Sequence, residues 1–180
     1  MLAGKRDLGE PLAGKSTLNR LELTPVGSPA AERYNKISYS AAAIDTLLVD
    51  LFLEAHAKAP REMVLDLDAT DTPLHGRQEA RFFPGYYGHY CYLPLYVFCG
   101  NYLLCARLRP SNIDASAGSL EEVERIVRQI RARWKEVRIV LRADSGFCRE
   151  ELLAWCSIFV KLREHRCQGD KLVVELEPTV

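Results

Sequence analysis

Two aspartates, each closing an apolar run, carry the chemistry this chain offers. Asp68 stands in Val64-Leu65-Asp66-Leu67-Asp68-Ala69-Thr70, and Asp144 in Val137-Arg138-Ile139-Val140-Leu141-Arg142-Ala143-Asp144-Ser145-Gly146-Phe147. A strand fixes the position of the acid at its end. Two such acids side by side form a hard-oxygen site for Mg²⁺ or Mn²⁺, the apparatus of phosphodiester chemistry. Taken singly, each Asp is explained as well by turn formation or helix N-capping. The pairing, with the elements between, favours the functional reading.

Other chemistry-bearing patterns are weaker. Gly9-Glu10-Pro11-Leu12-Ala13-Gly14-Lys15-Ser16 formally matches a phosphate-binding G-x-x-x-x-G-K-S loop. Such a loop needs an apolar strand before it and a helix after it. Met1 to Leu8 is no buried strand, and Pro11 and Pro25 bracket the segment. A solvated connector is expected there, with a Lys15-dependent nucleotide site as the alternative. Six cysteines, Cys91, Cys99, Cys105, Cys148, Cys156 and Cys167, include no C-x-x-C pair. Zinc-site spacing therefore fails, and buried thiols acting as small hydrophobes are expected.

The 180 residues suffice for one domain with a real core. Composition is 48% hydrophobic and 27% charged, ordinary for a globular protein. Lys plus Arg equals Asp plus Glu at 24 each, so a nucleic-acid reading must rest on local patches. No apolar run reaches the roughly 18 to 20 residues that span a bilayer, and Met1 to Glu10 lacks a signal-peptide core. The expectation is a cytoplasmic protein without membrane partners.

The elements that must position the two acids can be read along the chain. Ser40 to Lys58 reads as a helix with Ile44, Leu47, Leu48, Leu51, Phe52 and Ala55 on one apolar face, stopped by Pro60. After the Asp68 strand, residues 71–89 form a long Gly-rich aromatic loop, the length at which loops tend to be functional; some of its aromatics are expected to pack under the sheet edge. Tyr90 to Cys99 and Asn101 to Arg109 read as a hairpin turning at Gly100-Asn101, with Pro94 marking a bulge or edge. Ser119 opens a helix, with Glu122 at capping-box spacing and Val123, Ile126, Val127, Ile130 and Trp134 on its apolar face. Arg125, Arg128, Arg131 and Arg133 read as its solvated side. Val137 to Ala143 follows as a buried strand, then a helix from Arg149 to Cys156. Three antiparallel strands, a crossover helix and a parallel strand make an α/β, ribonuclease-H-like plan. A right-handed crossover can return the last strand beside the first, bringing Asp144 near Asp68.

Four blocks together carry a family resemblance: Leu65-Asp66-Leu67-Asp68-Ala69-Thr70-Asp71, Gly85-Tyr86-Tyr87-Gly88-His89-Tyr90, Leu108-Arg109-Pro110-Ser111-Asn112 and Arg142-Ala143-Asp144-Ser145-Gly146-Phe147. Between about Pro11 and Cys156 the chain resembles the group-one DDE transposases of bacterial insertion sequences. The resemblance implies a ribonuclease-H-like domain holding divalent metals between two aspartates and one glutamate. Such a domain nicks DNA at element ends and joins the new 3′-hydroxyl to target DNA.

Carried over by position, Asp68 and Asp144 are the first and second catalytic, metal-binding acids. Asp66, on the same face at strand period two, is the fallback, with Asp71 as further support. Thr70 and Ser145 would orient the carboxylates. Arg77, Arg81, Arg107 and Arg109 are candidate phosphate contacts, against the ordinary alternative of surface charge.

The third acid of that family lies far downstream. Here the segment from Ser157 onward does not resemble the family continuation, and Glu150, Glu151, Glu164, Glu175 and Glu177 do not stand in the family's context. The expected organisation is a connector and helix over 1–60, a partial catalytic domain over 61–156 and a divergent tail over 157–180. The implied protein is a truncated copy, inactive or weakly active. It would bind DNA ends and target, or act without catalysis by binding and inhibiting full-length transposase. Its sheet would be left open, with apolar surface exposed where later elements would pack.

Overall fold

A computed structural model describes residues 23–25, 37–159, 162–168 and 171–176. The Gly9–Ser16 motif lies outside these residues. The chain divides into two compact units, Met1–Ile44 and Asp45–Val180. Among the described residues of the first, β1 (Leu23–Pro25) pairs in parallel with β2 (Ile37–Tyr39).

The second unit is built on a six-stranded mixed sheet. Following α1 (Ala41–Glu54) come β3 (Glu62–Ala69), the short β4 (Thr72–Pro73) and β5 (Cys91–Tyr92), then β6 (Leu95–Cys99) and β7 (Tyr102–Arg107). Helix α2 (Ser119–Arg133) crosses over to β8 (Arg138–Asp144). A 3-10 turn (Ser145–Phe147), α3 (Glu150–Phe159), β9 (Leu162–Gln168) and β10 (Lys171–Leu176) complete the order. The sheet runs β7-β6-β3-β8-β10-β9. Only β3 and β8 pair in parallel within it; every other neighbour is antiparallel. The three antiparallel strands, crossover helix and returning parallel strand are compatible with a partial ribonuclease-H-like domain.

Alternation along the two central strands sorts the sheet into two different faces. Met63, Leu65 and Leu67 of β3 and Ile139, Leu141 and Ala143 of β8 share one core with Val49 and Phe52 of α1, Ile126 and Ile130 of α2 and Leu152 and Cys156 of α3. Intervening residues point the other way. There Arg138 pairs with Glu62 and with Glu175 at 3.6 Å, and Arg142 pairs with Asp66. The second face therefore carries cross-strand ion pairs where an exposed apolar surface was expected.

The tail also departs from expectation. Strand β10 runs antiparallel along β8, from Lys171 opposite Asp144 to Leu176 opposite Ile139, and buries Leu172, Val174 and Leu176 in the common core. The β8 edge is thus occupied.

Several local readings change for physical reasons. Helix α1 buries Asp45, Val49, Phe52 and Leu53, whereas Ile44, Leu47 and Leu51 stand exposed. A buried carboxylate, Asp45, takes the place of the expected apolar stripe because Arg107 reaches it at 3.1 Å. Pro94 does more than bulge the first hairpin strand; it separates β5, which pairs with β4, from β6, which pairs with β3. Gly118, at φ 74°, is the N-cap of α2 with no side-chain cap, so Ser119 and Glu122 form no capping box. Glu122 turns inward instead. Arg125 and Arg131 leave the solvated side of α2: Arg125 binds Glu122 and the Asp45 carbonyl, and Arg131 donates to the Lys135 carbonyl at 2.8 Å.

Candidate active site

Strands β3 and β8 run side by side in the register Glu62↔Arg138 through Asp66↔Arg142. Asp68 and Asp144 each lie two residues beyond that last pair, on the face away from the core, and both are exposed. Adjacent strands are spaced at about 4.8 Å, and continuing the β3–β8 register by two residues would bring the two carboxylates to the same level.

Each acid is oriented by a neutral donor. The Thr70 hydroxyl donates to Asp68 Oδ2 at 2.7 Å. The Gly146 N–H donates to Asp144 Oδ1 at 2.9 Å, which makes Asp144 the N-cap of the 3-10 turn. Gly146 takes the orienting position anticipated for Ser145. A Cβ at Gly146 would lie 3.0 Å from Asp144 Oδ1, so any larger residue there would make the carboxylate shift. Capping and metal binding are compatible here, because the turn bond engages Oδ1 and leaves Oδ2 outside it.

Asp66 is engaged differently. Arg142 grips it with both Nε and Nη2, the latter at 2.8 Å. These hydrogen bonds and the Asp66 charge hold the Arg142 guanidinium above its ordinary pKa. Asp66, the fallback ligand, is thus neutralised by its neighbour strand. Asp71 Oδ2 lies 2.7 Å from His89 Nε2 and accepts from it in the Nε2-protonated form of the imidazole.

That contact brings the aromatic loop back to the carboxylate end of the sheet. Burial raises the Tyr87 phenol pKa, and the charges of Asp71 and Asp144 add to the effect. Tyr87 and His89 are site neighbours that the sequence reading did not assign a role. Their signal was membership of a resemblance block, Gly85 to Tyr90, in a loop that leaves β3 just after Asp68. Of the loop's aromatics, Phe82, Phe83, Tyr86 and Tyr90 remain exposed.

The four arginines divide. Arg77 is exposed, and Arg81 lies over the Tyr90 ring at 4.4 Å. Arg109 is buried and clamps backbone carbonyls: Leu93 at 2.9 Å, Ala115 at 3.0 Å, and Ala117. Arg107 donates to Glu122 at 2.6 Å and to Asp45. Arg107 and Arg109 are therefore committed to holding the fold, away from the role of phosphate contact.

No third acid joins Asp68 and Asp144 among the described residues. Glu150 and Glu151 are exposed on the first turn of α3, and Glu175 pairs with Arg138 four register positions from Asp144. The Glu164 side chain and Glu177 lie outside the described residues. No group of three or more His, Cys, Asp or Glu side chains is gathered for a metal among the described residues. The two adjacent aspartates nevertheless suit a hard divalent cation, since Mg²⁺ commonly binds through one or two carboxylates and keeps several waters.

Comparison with known proteins gives one match. The model of the family described as transposase DDE domain, group 1, matches residues 1–159. No curated protein and no solved structure matches the chain. No described helix is long and apolar enough to cross a membrane.

Proposed function

The chain belongs to the transposase DDE domain group 1 family, and from that premise we propose that Asp68 and Asp144 together hold Mg²⁺ or Mn²⁺ for phosphodiester cleavage in DNA. The observation that supports this reading is the parallel β3–β8 register through Asp66↔Arg142, with Asp68 and Asp144 each two residues further on. Bound divalent metal supplies activation of the attacking oxygen and stabilisation of the leaving one in an in-line displacement.

The protein's own residues do the rest. Thr70 and the Gly146 N–H fix one oxygen of each carboxylate, so the acids meet the cation preoriented. Arg142 neutralises Asp66, which limits negative charge beside a polyanionic substrate. Arg77 and Arg81 extend from the neighbouring loop as candidate phosphate contacts. With two acids available among the described residues, the cation would be held more loosely and cleavage would be slow. DNA ends and target are the proposed substrates.

The test is nicking of supercoiled plasmid in Mg²⁺ or Mn²⁺. Slow nicking that disappears in Asp68→Asn and in Asp144→Asn, yet survives in Asp66→Asn, is expected. Equal nicking by wild type and both aspartate variants would sink the assignment.

A further inference from the structure

We propose that the loop between β4 and β5 is a stacking platform for unpaired bases of the DNA strand beside the Asp68–Asp144 pair. The inference rests on the proposed DNA chemistry and adds the form of DNA the site takes.

Tyr86 is 92% exposed, Phe83 55% and Tyr90 44%. Large aromatic rings are ordinarily buried at least in part, so three exposed rings within eight residues call for a partner. These rings are held in place. Gly88 N–H and Tyr87 N–H both donate to the Pro84 carbonyl, at 3.1 and 3.2 Å, closing a turn with Tyr86 at its tip. Tyr86 packs edge-on against Tyr87 at 5.0 Å, and Phe83 against Tyr90 at 5.4 Å. The loop base is tied by Leu74 N–H to the Tyr90 carbonyl at 2.8 Å and by the Ser111 hydroxyl to the Cys91 carbonyl at 2.8 Å.

Charge points to nucleic acid as the partner. Residues 74–90 contain two arginines, Arg77 and Arg81, against one acid, Glu79. Arg81 lies over Tyr90 at 4.4 Å, so a cation sits within the aromatic surface and can meet a phosphate while a ring meets a base. Position links the platform to the chemistry: His89 contacts Asp71, and the Asp144 charge acts on Tyr87, the neighbour of Tyr86. A paired base inside a duplex has both faces covered by its neighbours. An unpaired base offers a free face, and stacking on an aromatic side chain tolerates any base.

Affinity of the full chain is measured by fluorescence anisotropy for a blunt duplex and for the same duplex with three unpaired nucleotides. Stacking is read from 2-aminopurine placed among the unpaired bases. Tighter binding of the frayed duplex and quenching of 2-aminopurine are expected. Tyr86→Ala should lose about 5- to 100-fold for the frayed form with little change for the blunt one, and Tyr86→Trp should restore the preference. Equal binding of both forms, unmoved by Tyr86→Ala, overturns the platform and leaves the DNA reading standing. No binding of either form overturns both. Concentration-dependent dimerisation lost in Tyr86→Ala, without preference for unpaired DNA, assigns the surface to a second copy and also overturns the platform.

Discussion

Asp68 and Asp144 stand on adjacent parallel strands, each two residues past the ion-paired Asp66 and Arg142. This separates the roles of the two aspartates of β3. Asp66 meets the Arg142 guanidinium across the strand gap, whereas Asp68 accepts from the Thr70 hydroxyl at 2.7 Å. Two carboxylates brought close are unfavourable without a cation between them, whereas the Asp66–Arg142 contact satisfies itself.

Replacement of Asp66 should therefore cost little. Its pair with Arg142 is largely exposed, so Asp66→Asn should change unfolding free energy by no more than about 1 kcal/mol. Mn²⁺ binding followed by water proton relaxation should stay near the wild-type level. Loss of binding on this change would move the site from Asp68 to Asp66.

Gly146→Ala probes how Asp144 is aimed. The added Cβ would crowd Asp144 Oδ1 at 3.0 Å, so the carboxylate must shift by a few tenths of an ångström or rotate. Mn²⁺ affinity should fall while the thermal midpoint moves by only a few degrees. An unchanged affinity would show that the turn does not orient the acid.

The fold has its own acid-sensitive element in Glu122. Burial works to raise its pKa, but hydrogen bonds and charge from Arg125 and Arg107 outweigh burial and hold it below the usual glutamate range. A folded-state value below the unfolded one means that the stabilisation is complete above the unfolded pKa of about 4.3 and is lost as pH falls through the lower folded value. Glu122→Gln removes the charge that Arg107 and Arg125 share, and because both arginines are partly exposed and Arg107 keeps Asp45 it should cost about 1–3 kcal/mol at neutral pH. Urea unfolding from pH 7 down to pH 3 should show a shallower acid dependence in the variant than in wild type.

Cysteine reactivity should follow burial. Burial, and then Glu122, push the Cys105 thiol up to about 12, and burial pushes Cys156 up to about 12 as well. At pH 8 both stay protonated, and the thiolate is the nucleophile. Iodoacetamide followed by mass spectrometry should leave both unmodified in the native protein and label both in urea.

How much of this was legible in the sequence depends on the kind of interaction. Strands β3 and β8 and helix α2 show in their apolar periods, and the carboxylates show as acids closing apolar runs. Crossover handedness then suggested their adjacency, although the residue-by-residue register appears only in the fold. Helix α1 was harder: Leu47 and Leu51 look like core, yet the buried position goes to Asp45, because Arg107 arrives from β7, more than sixty residues away in the chain. No local pattern carries that information. Glu122 misled for the same reason, since its capping-box spacing was local while its partner Arg107 lies on β7. The alternation Leu172-Val173-Val174-Glu175-Leu176 was a strand signal in plain view, but its antiparallel seat on β8 was not.

The central claim is that Asp68 and Asp144 share one divalent cation, and local hydroxyl-radical cleavage tests it most directly. Fe²⁺ replaces Mg²⁺, ascorbate and peroxide generate radicals at the bound iron, and the cut sites are mapped by mass spectrometry. The account predicts cuts near both Asp68 and Asp144, competed by excess Mg²⁺ and lost together in Asp68→Asn or Asp144→Asn. Cuts confined to one strand end, or persisting at both ends in either variant, would contradict it.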